Sequence, residues 1–273
     1  MAGPLTRVIS DVHFADRSSR VRSLGQLDPL LEGVSALVMN GDTLDTRMGK
    51  RPQWTEERRQ EVLAYFRSAG IPVTLLTGNH DPDISAVHSE ELEGGRVFVT
   101  HGDVMFDDIV PWSTEASRIR ARIAEALSSL PAGTAGTFEG RVAAFRRVAA
   151  ALPQRHQSER NFFKYAARLA GDTVWPPTRA LTILRAWRSV PSLAAALAAE
   201  HRPRAQVVVV GHTHKPGAWK TPGGTAVINS GAFCVPFGAY AVDIRGGVVR
   251  AVRLEARRGS YRPGRVVAEY PLS

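Results

Sequence analysis

Five short runs of apolar, largely β-branched residues each end in a cluster of imidazole, carboxylate or amide side chains. That repeated pairing restricts the fold more than any other feature. The runs are Arg7–Ser10, Ala36–Asn40, Val73–Thr77, Arg96–Thr100 and Val207–Val210. Nearly continuous apolar segments of this length read as strands buried on both faces. The clusters that follow them are Ser10-Asp11-Val12-His13, Asn40-Gly41-Asp42, Gly78-Asn79-His80-Asp81, His101-Gly102-Asp103 and Gly211-His212-Thr213-His214. Open α/β sheets build their sites from loops at the C-terminal ends of strands. Five such loops, all carrying ligand chemistry, predict one shared site.

The stretches between the runs have helical character. Thr55–Ala69 reads as a helix, with Thr55 placed to cap an acidic first turn. Alternation of strand and helix defines the α/β class. From Thr225 the pattern changes: Ala226–Asn229, Ala239–Ile244 and Val248–Leu254, with a Gly246-Gly247 turn, read as an antiparallel meander. Residues 110–205 are rich in Ala, Leu and Arg at helical spacing. They predict helices over Thr114–Leu130, Phe138–Leu152, Glu159–Ala170, Thr178–Arg188 and Ser192–His201, separated by Pro131, Pro153, Pro176-Pro177 and Pro191. The expected organisation is a core of residues 1–109 and 206–273, with 110–205 as a helical insertion or cap. Residues 255–273, which carry Arg257, Arg258, Arg262 and Arg265, fit either an ordered edge or a basic tail.

Composition narrows the classes. One cysteine in 273 residues excludes a disulfide framework and a multi-cysteine zinc site. No apolar run approaches the ~18 residues of a membrane span. The opening MAGPLTRVISDVHF lacks the apolar stretch of a secretory leader, so a cytoplasmic location is expected. The formal charge of +9 is uneven: residues 1–109 carry −6, 110–205 carry +9 and 206–273 carry +6. The basic middle is either a solvated surface or an attractor of anionic partners, namely phosphorylated substrate, nucleic acid or anionic lipid. Few aromatic residues are available for base stacking, which disfavours nucleic acid.

An Asp or Asn after a strand commonly serves a turn. Asp-x-His and His-x-His pairs are different, because residues i and i+2 of an extended segment point to one side and reach one ion together. The candidate ligands are Asp11, His13, Asp42, Asn79, His101, His212 and His214. Carboxylates with imidazoles and an amide suit Mn²⁺ first, with Fe, Zn²⁺ or Co²⁺ as alternatives. Seven ligands exceed what one open catalytic ion uses, and they suffice for two ions sharing a carboxylate. Two ions about 3.5–4 Å apart serve in-line displacement at phosphorus. His88, His156 and His201 match no pattern and read as surface or packing residues. Asp45 is placed to support the Asp42 loop.

The segments SDVHF, NGDTLD, GNHD, HGD and GHTH, in this order, resemble the calcineurin-like metallophosphoesterases. The resemblance covers roughly residues 5–109 and 206–254. It implies a four-layer α/β/β/α sandwich around a dinuclear centre, in which a metal-bridging hydroxide attacks phosphorus. By that carry-over one metal takes Asp11, His13 and His214, the other takes Asn79, His101 and His212, and Asp42 bridges them. His80 is implied to protonate the leaving oxygen, with Asp81 expected to orient it. The helical block after HGD and Asp107-Asp108 is similar to that of bacterial UDP-2,3-diacylglucosamine pyrophosphohydrolases, where a helical lid encloses acyl chains. That implies a lipid-linked pyrophosphate as substrate and peripheral contact with the inner membrane through the basic block. The chain departs from that group at His80, where Arg is usual. A phosphomonoesterase, a phosphodiesterase or nuclease, and a non-catalytic scaffold are the alternatives.

Overall fold

A computed structural model describes residues 3–154 and 177–273, Pro177 by its backbone alone. The expected helix Glu159–Ala170 and His156 lie outside the described residues. Eleven strands in two sheets make up the described β-structure. They are β1 (Thr6–Ile9), β2 (Ala36–Asn40), β3 (Val73–Leu76), β4 (Ser89–Leu92), β5 (Val97–Thr100), β6 (Val207–Val210), β7 (Gly217–Lys220), β8 (Ala226–Asn229), β9 (Tyr240–Arg245), β10 (Val248–Arg257) and β11 (Ser260–Pro271). The described α-helices are α1 (Pro52–Arg67), α2 (Ala116–Ser128), α3 (Phe138–Ala150) and α4 (Pro177–His201).

The first sheet runs β11-β10-β9-β1-β2-β3 and the second β4-β5-β6-β8-β7. β1, β2 and β3 are mutually parallel, as are β5, β6 and β8. Strand alternation sorts the side chains into layers. In β6, Val207 and Val209 join the core between the sheets, whereas Val208 and Val210 join the core under the helices. The inter-sheet core is mostly valine, including Val8, Val38, Val97, Val99, Val242 and Val249. Each fully buried Val contributes roughly 1.5–3 kcal/mol of transfer energy. Val62 and Phe66 of α1 and a 3-10 helix at Leu24–Leu30 cover the outer face of the first sheet. Helices α2, α3 and α4 cover the outer face of the second through Ile123, Phe145 and Ala194. The result is the four-layer α/β/β/α sandwich.

Several local expectations are corrected. α1 starts at Pro52 rather than at Thr55, because proline at the first helical position needs no N–H acceptor. Thr55 is a buried interior residue whose hydroxyl meets Gln154 at 3.4 Å. Pro191 does not divide two helices. α4 is continuous through it, since Ala186, Val190, Ala194, Leu197 and Ala198 form one face buried in the same core. Ala226–Asn229 is not part of the meander: it pairs parallel with β6 in the second sheet, and the meander is β9-β10-β11 in the first. The chain changes sheets between Ser230 and Ala239. The C-terminal segment is an ordered edge strand. Among the described residues, no helix is long and apolar enough to cross a membrane.

Candidate metal centre

The loops after β1, β2 and β3 leave the first sheet and those after β5 and β6 leave the second, and they meet where the two sheets' carboxyl ends converge. Backbone bonds tie them together. Asp11 N–H donates to Gly41 O (3.1 Å), His13 N–H to Asp42 O (3.0 Å) and Gly211 N–H to His101 O (2.9 Å). Five of the candidate ligands adopt positive φ: Asp11 (51°), His13 (47°), Asp42 (50°), His212 (66°) and His214 (61°). Left-handed backbone at a non-glycine residue costs about 1–3 kcal/mol and persists where surrounding structure holds it. Here it aims the side chains inward. Two glycines permit the close approach. A Cβ on Gly78 would lie 2.2 Å from Asp42 Oδ1, and one on Gly211 would lie 2.3 Å from Asp11 Oδ2.

Potential ligand atoms of Asp11, His13, Asp42 and His214 lie within 4.8 Å of one another, as do those of Asp42, His101 and His212. Asp42 belongs to both groups. Asn79 Oδ1 is 3.3 Å from His101 Nε2, which places the amide beside the second group. All seven residues expected from the sequence are therefore brought together. His88 instead bonds Thr77, and His201 packs on Phe138.

The ring geometry suits cation binding. His101 Nδ1 donates to Asn40 O (2.9 Å), which leaves Nε2, 3.3 Å from Asp42 Oδ2, as the ring atom that can ligate a cation once its proton is displaced. His212 Nε2 donates to Ile109 O (2.7 Å), which leaves Nδ1. A carbonyl fixing one ring nitrogen and freeing the other is the usual support of a ligating histidine. His13 Nε2 and His214 Nε2 face each other at 3.0 Å beside two buried carboxylates. Two imidazole nitrogens and two carboxylates converging within 4.8 Å of one another form a donor set suited to a divalent cation.

Charges inside the cluster divide the histidines. Burial, aided by the His214 charge, pushes His13 down to about 4, and burial with the His101 charge pushes His212 down to about 3. Against burial, Asp42 raises His101 well above its ordinary value, and Asp11 raises His214. Burial opposes ionisation of Asp11 and Asp42 too, but their histidine partners hold both below the usual carboxylate range. Without cations, His101 and His214 thus carry protons that metal must displace. Titration with Mn²⁺ in buffers of different protonation enthalpy is expected to show proton release. Affinity is expected to keep rising with pH above the ordinary histidine value of about 6.5. A pH-independent affinity between 6 and 8 would contradict this charge pattern.

The expected role of Asp81 is corrected. Its carboxylate does not meet the His80 ring. Oδ1 accepts Asp42 N–H (2.9 Å) and Gly78 N–H (2.8 Å), and Oδ2 accepts Thr43 N–H (2.7 Å). Asp81 clamps the loops after β2 and β3. Burial and the Asp42 charge push it up to about 7, opposed by Gly78, His101 and Thr43. The carboxylate at His80 is Asp45, whose Oδ2 lies 2.9 Å from His80 Nδ1. Arg47 donates to both oxygens of Asp45 (3.0 and 2.6 Å) and sits 2.7 Å from the same Nδ1. Sequence adjacency to His80 favoured Asp81, whereas the three-residue spacing from Asp42 was the available signal for Asp45. Ser10 Oγ bonds Asp11 Oδ2 and lies 2.6 Å from Ser230 Oγ. Asn229 donates to Gly211 O and Thr213 Oγ1, shaping the GHTH loop. Solvent reaches the cluster at His214 and His80, whose side chains are 31% and 23% exposed against 5% or less for Asp11, His13, Asp42 and His101.

Residues 6–216 match the family described as calcineurin-like phosphoesterase, and the chain belongs to that family. It is a metal-dependent phosphoesterase. No curated protein matches it in sequence. Solved structures similar to it include vacuolar protein sorting 29 of Chaetomium thermophilum (12% identity, 99% of this chain and 96% of that one, TM-score 0.48). Another is vacuolar protein sorting 29 of Cryptosporidium parvum (12%, 99% and 100%, TM-score 0.43). A third is a dimetal phosphatase of Danio rerio (13%, 93% and 96%, TM-score 0.44).

Proposed function

We propose that the chain hydrolyses a phosphoester at a centre holding two divalent cations, with Asp11, His13 and His214 around one, Asn79, His101 and His212 around the other, and Asp42 between them. The observation that carries this reading is the convergence of five loops from two sheets on two donor groups that share one carboxylate. When bound, the cations supply positive charge to the phosphoryl oxygens and acidify a water. Mn²⁺ is the proposed ion.

His80 is the proposed proton donor to the leaving oxygen. Its ring lies 5.0 Å from that of His13, at the exposed mouth. With Nδ1 held by Asp45, Nε2 is the atom left to exchange a proton. Arg47 holds Asp45 in place, so the imidazole meets a fixed carboxylate. His80→Ala is expected to slow hydrolysis of an alkyl phosphoester by about 10²–10⁴-fold. The loss with an aryl ester, whose leaving group needs no proton, is expected to be much smaller. Equal losses on both esters would remove His80 from proton transfer, and full turnover of the alkyl ester would remove it from the mechanism.

A proton donor at this position favours mono- or diesters of alcohols. A second reading, a lipid-linked pyrophosphate of the UDP-diacylglucosamine type, is favoured by exposed apolar side chains on α4 and on the segment after β8. Leu181 and Leu184 of α4 and Val235 are 54%, 42% and 57% exposed. Trp187, one turn after Leu184, donates to Thr213 O beside the ligands His212 and His214 and packs on Phe237, two residues after Val235. A Mn²⁺-reconstituted panel separates the readings: an alkyl monoester, an aryl diester, single-stranded DNA and UDP-diacylglucosamine. UMP release from the last, absent with the unacylated sugar nucleotide, selects the lipid substrate. Failure of the chain to bind Mn²⁺ would reassign it as a scaffold.

A further inference from the structure

The loop after β1 and the N-terminal half of α1 flank an open hollow of about 220 Å³ that the metal-centre chemistry does not use. Phe14, Val21 and Trp54 form its apolar wall, and Arg17, Arg22 and Arg58 its charged wall. The hollow is a direct extension of the ligand loops. Phe14 follows His13 and is bridged to Leu44, two residues beyond Asp42. Asp16 also lines it, but its Oδ1 accepts from Ser18 N–H (2.7 Å) and Ser18 Oγ (2.8 Å). With Asp16 on the wall and Glu61 beside Arg58, the three guanidinium charges still leave the hollow net positive.

Two of the guanidinium groups on that wall, Arg22 and Arg58, have donor capacity to spare. Arg22 reaches only the carbonyls of Asp16 and Arg17, at 3.5 and 3.3 Å. Arg58 pairs with Glu61 through Nη1, but its buried Nε has no hydrogen-bond partner. Trp54 borders a second hollow of about 530 Å³, and the Arg51 guanidinium lies 4.8 Å from its ring centre. Guanidinium forks recognise phosphate oxygens in pairs, and an indole beside them accepts a flat ring. The volume is below the ~300 Å³ needed by a whole drug-sized ligand, so it suits one part of a larger molecule.

We propose that this hollow is a second-phosphate subsite. Arg22 and Arg58 hold a phosphate that is not the one under attack, and Trp54 packs against the base of the same molecule. The ligand class is a nucleotide with two separated phosphates. The proposal rests on the hydrolase reading only in making that nucleotide a substrate.

Calorimetry with adenosine 3′,5′-bisphosphate and adenosine 5′-monophosphate, read as binding heat before product accumulates, tests it by affinity rather than by activity. The native chain is expected to bind the bisphosphate about tenfold more tightly, the gain from charge-assisted hydrogen bonds to one added phosphate. The double variant Arg22→Ala/Arg58→Ala is expected to bind the two nucleotides equally. If that variant does not fold, Arg22→Lys/Arg58→Lys keeps the charge, removes the fork, and is expected to lose most of the preference. Trp54→Leu is expected to weaken both nucleotides. Equal affinities in the native chain overturn the proposal, as does a preference that survives loss of both arginines. Asp42→Asn, defective at the metal centre, is expected to hold either nucleotide through the subsite alone and to lose that binding when Arg22→Ala/Arg58→Ala is added, so the subsite stands even where the hydrolase reading fails. Nucleotide binding by Asp42→Asn that survives loss of both arginines overturns the subsite.

Discussion

Asp42→Asn is expected to strip the centre of bound metal and lower phosphoester hydrolysis by at least about a thousandfold, with the fold retained. Among the described residues, Asp42 alone belongs to both donor groups. Its Oδ2 lies 3.3 Å from His101 Nε2 and 3.8 Å from His13 Nε2, so one carboxylate addresses both halves. Asparagine keeps the shape and one carbonyl acceptor. It removes the negative charge on which two neighbouring cations depend, and several kcal/mol of transition-state stabilisation go with them. Metal analysis after dialysis, circular dichroism and turnover of an aryl ester report the three parts of the prediction. A variant that retains two ions per chain and turns over within tenfold of the native protein would remove Asp42 from the bridge.

Asp81→Ala is expected to act on stability first. Three buried backbone N–H groups, from Asp42, Thr43 and Gly78, end on this one carboxylate. Each orphaned buried donor costs about 1–3 kcal/mol, less where water enters the space vacated. A loss of roughly 3–5 kcal/mol in urea unfolding of the metal-free chain is expected, along with loss of metal, since both ligand loops lose their tie. The order of effects distinguishes a clamp from a proton-transfer partner. An Asp81→Ala chain as stable as the native one, yet slow in turnover with both metals bound, would return Asp81 to the role that adjacency to His80 suggested.

The strands that carry the ligands were legible because their signals are local. Val207–Val210 is buried on both faces whatever its neighbours, and the residue types after each run have chemistry of their own. Elements shaped by distant partners were not legible. Ser89–Leu92 has a polar sequence and is a strand because Val97–Thr100 offers it an edge. Ser260–Pro271 is ordered by pairing with β10 across two register shifts. Pro191 lies inside a helix because the apolar face around it is needed against the second sheet. Within the site, ligand identities followed from residue type and spacing. The exchange of Asp81 for Asp45 did not, because a turn after His80 sends the adjacent carboxylate away and returns one from another loop.

The division of the ligands between two sheets has a mechanical consequence. Asp11, His13, Asp42 and Asn79 hang from one sheet, and His101, His212 and His214 from the other. The span across which they must meet is therefore gauged by the slab of valine and isoleucine between the sheets. That slab works as a calliper: its thickness, set methyl by methyl at positions such as Val8, Val99 and Val209, fixes how far the jaws open at the tip. The residues that adjust which cation the jaws grip best thus include ones with no polar atom in the side chain and no view of the site.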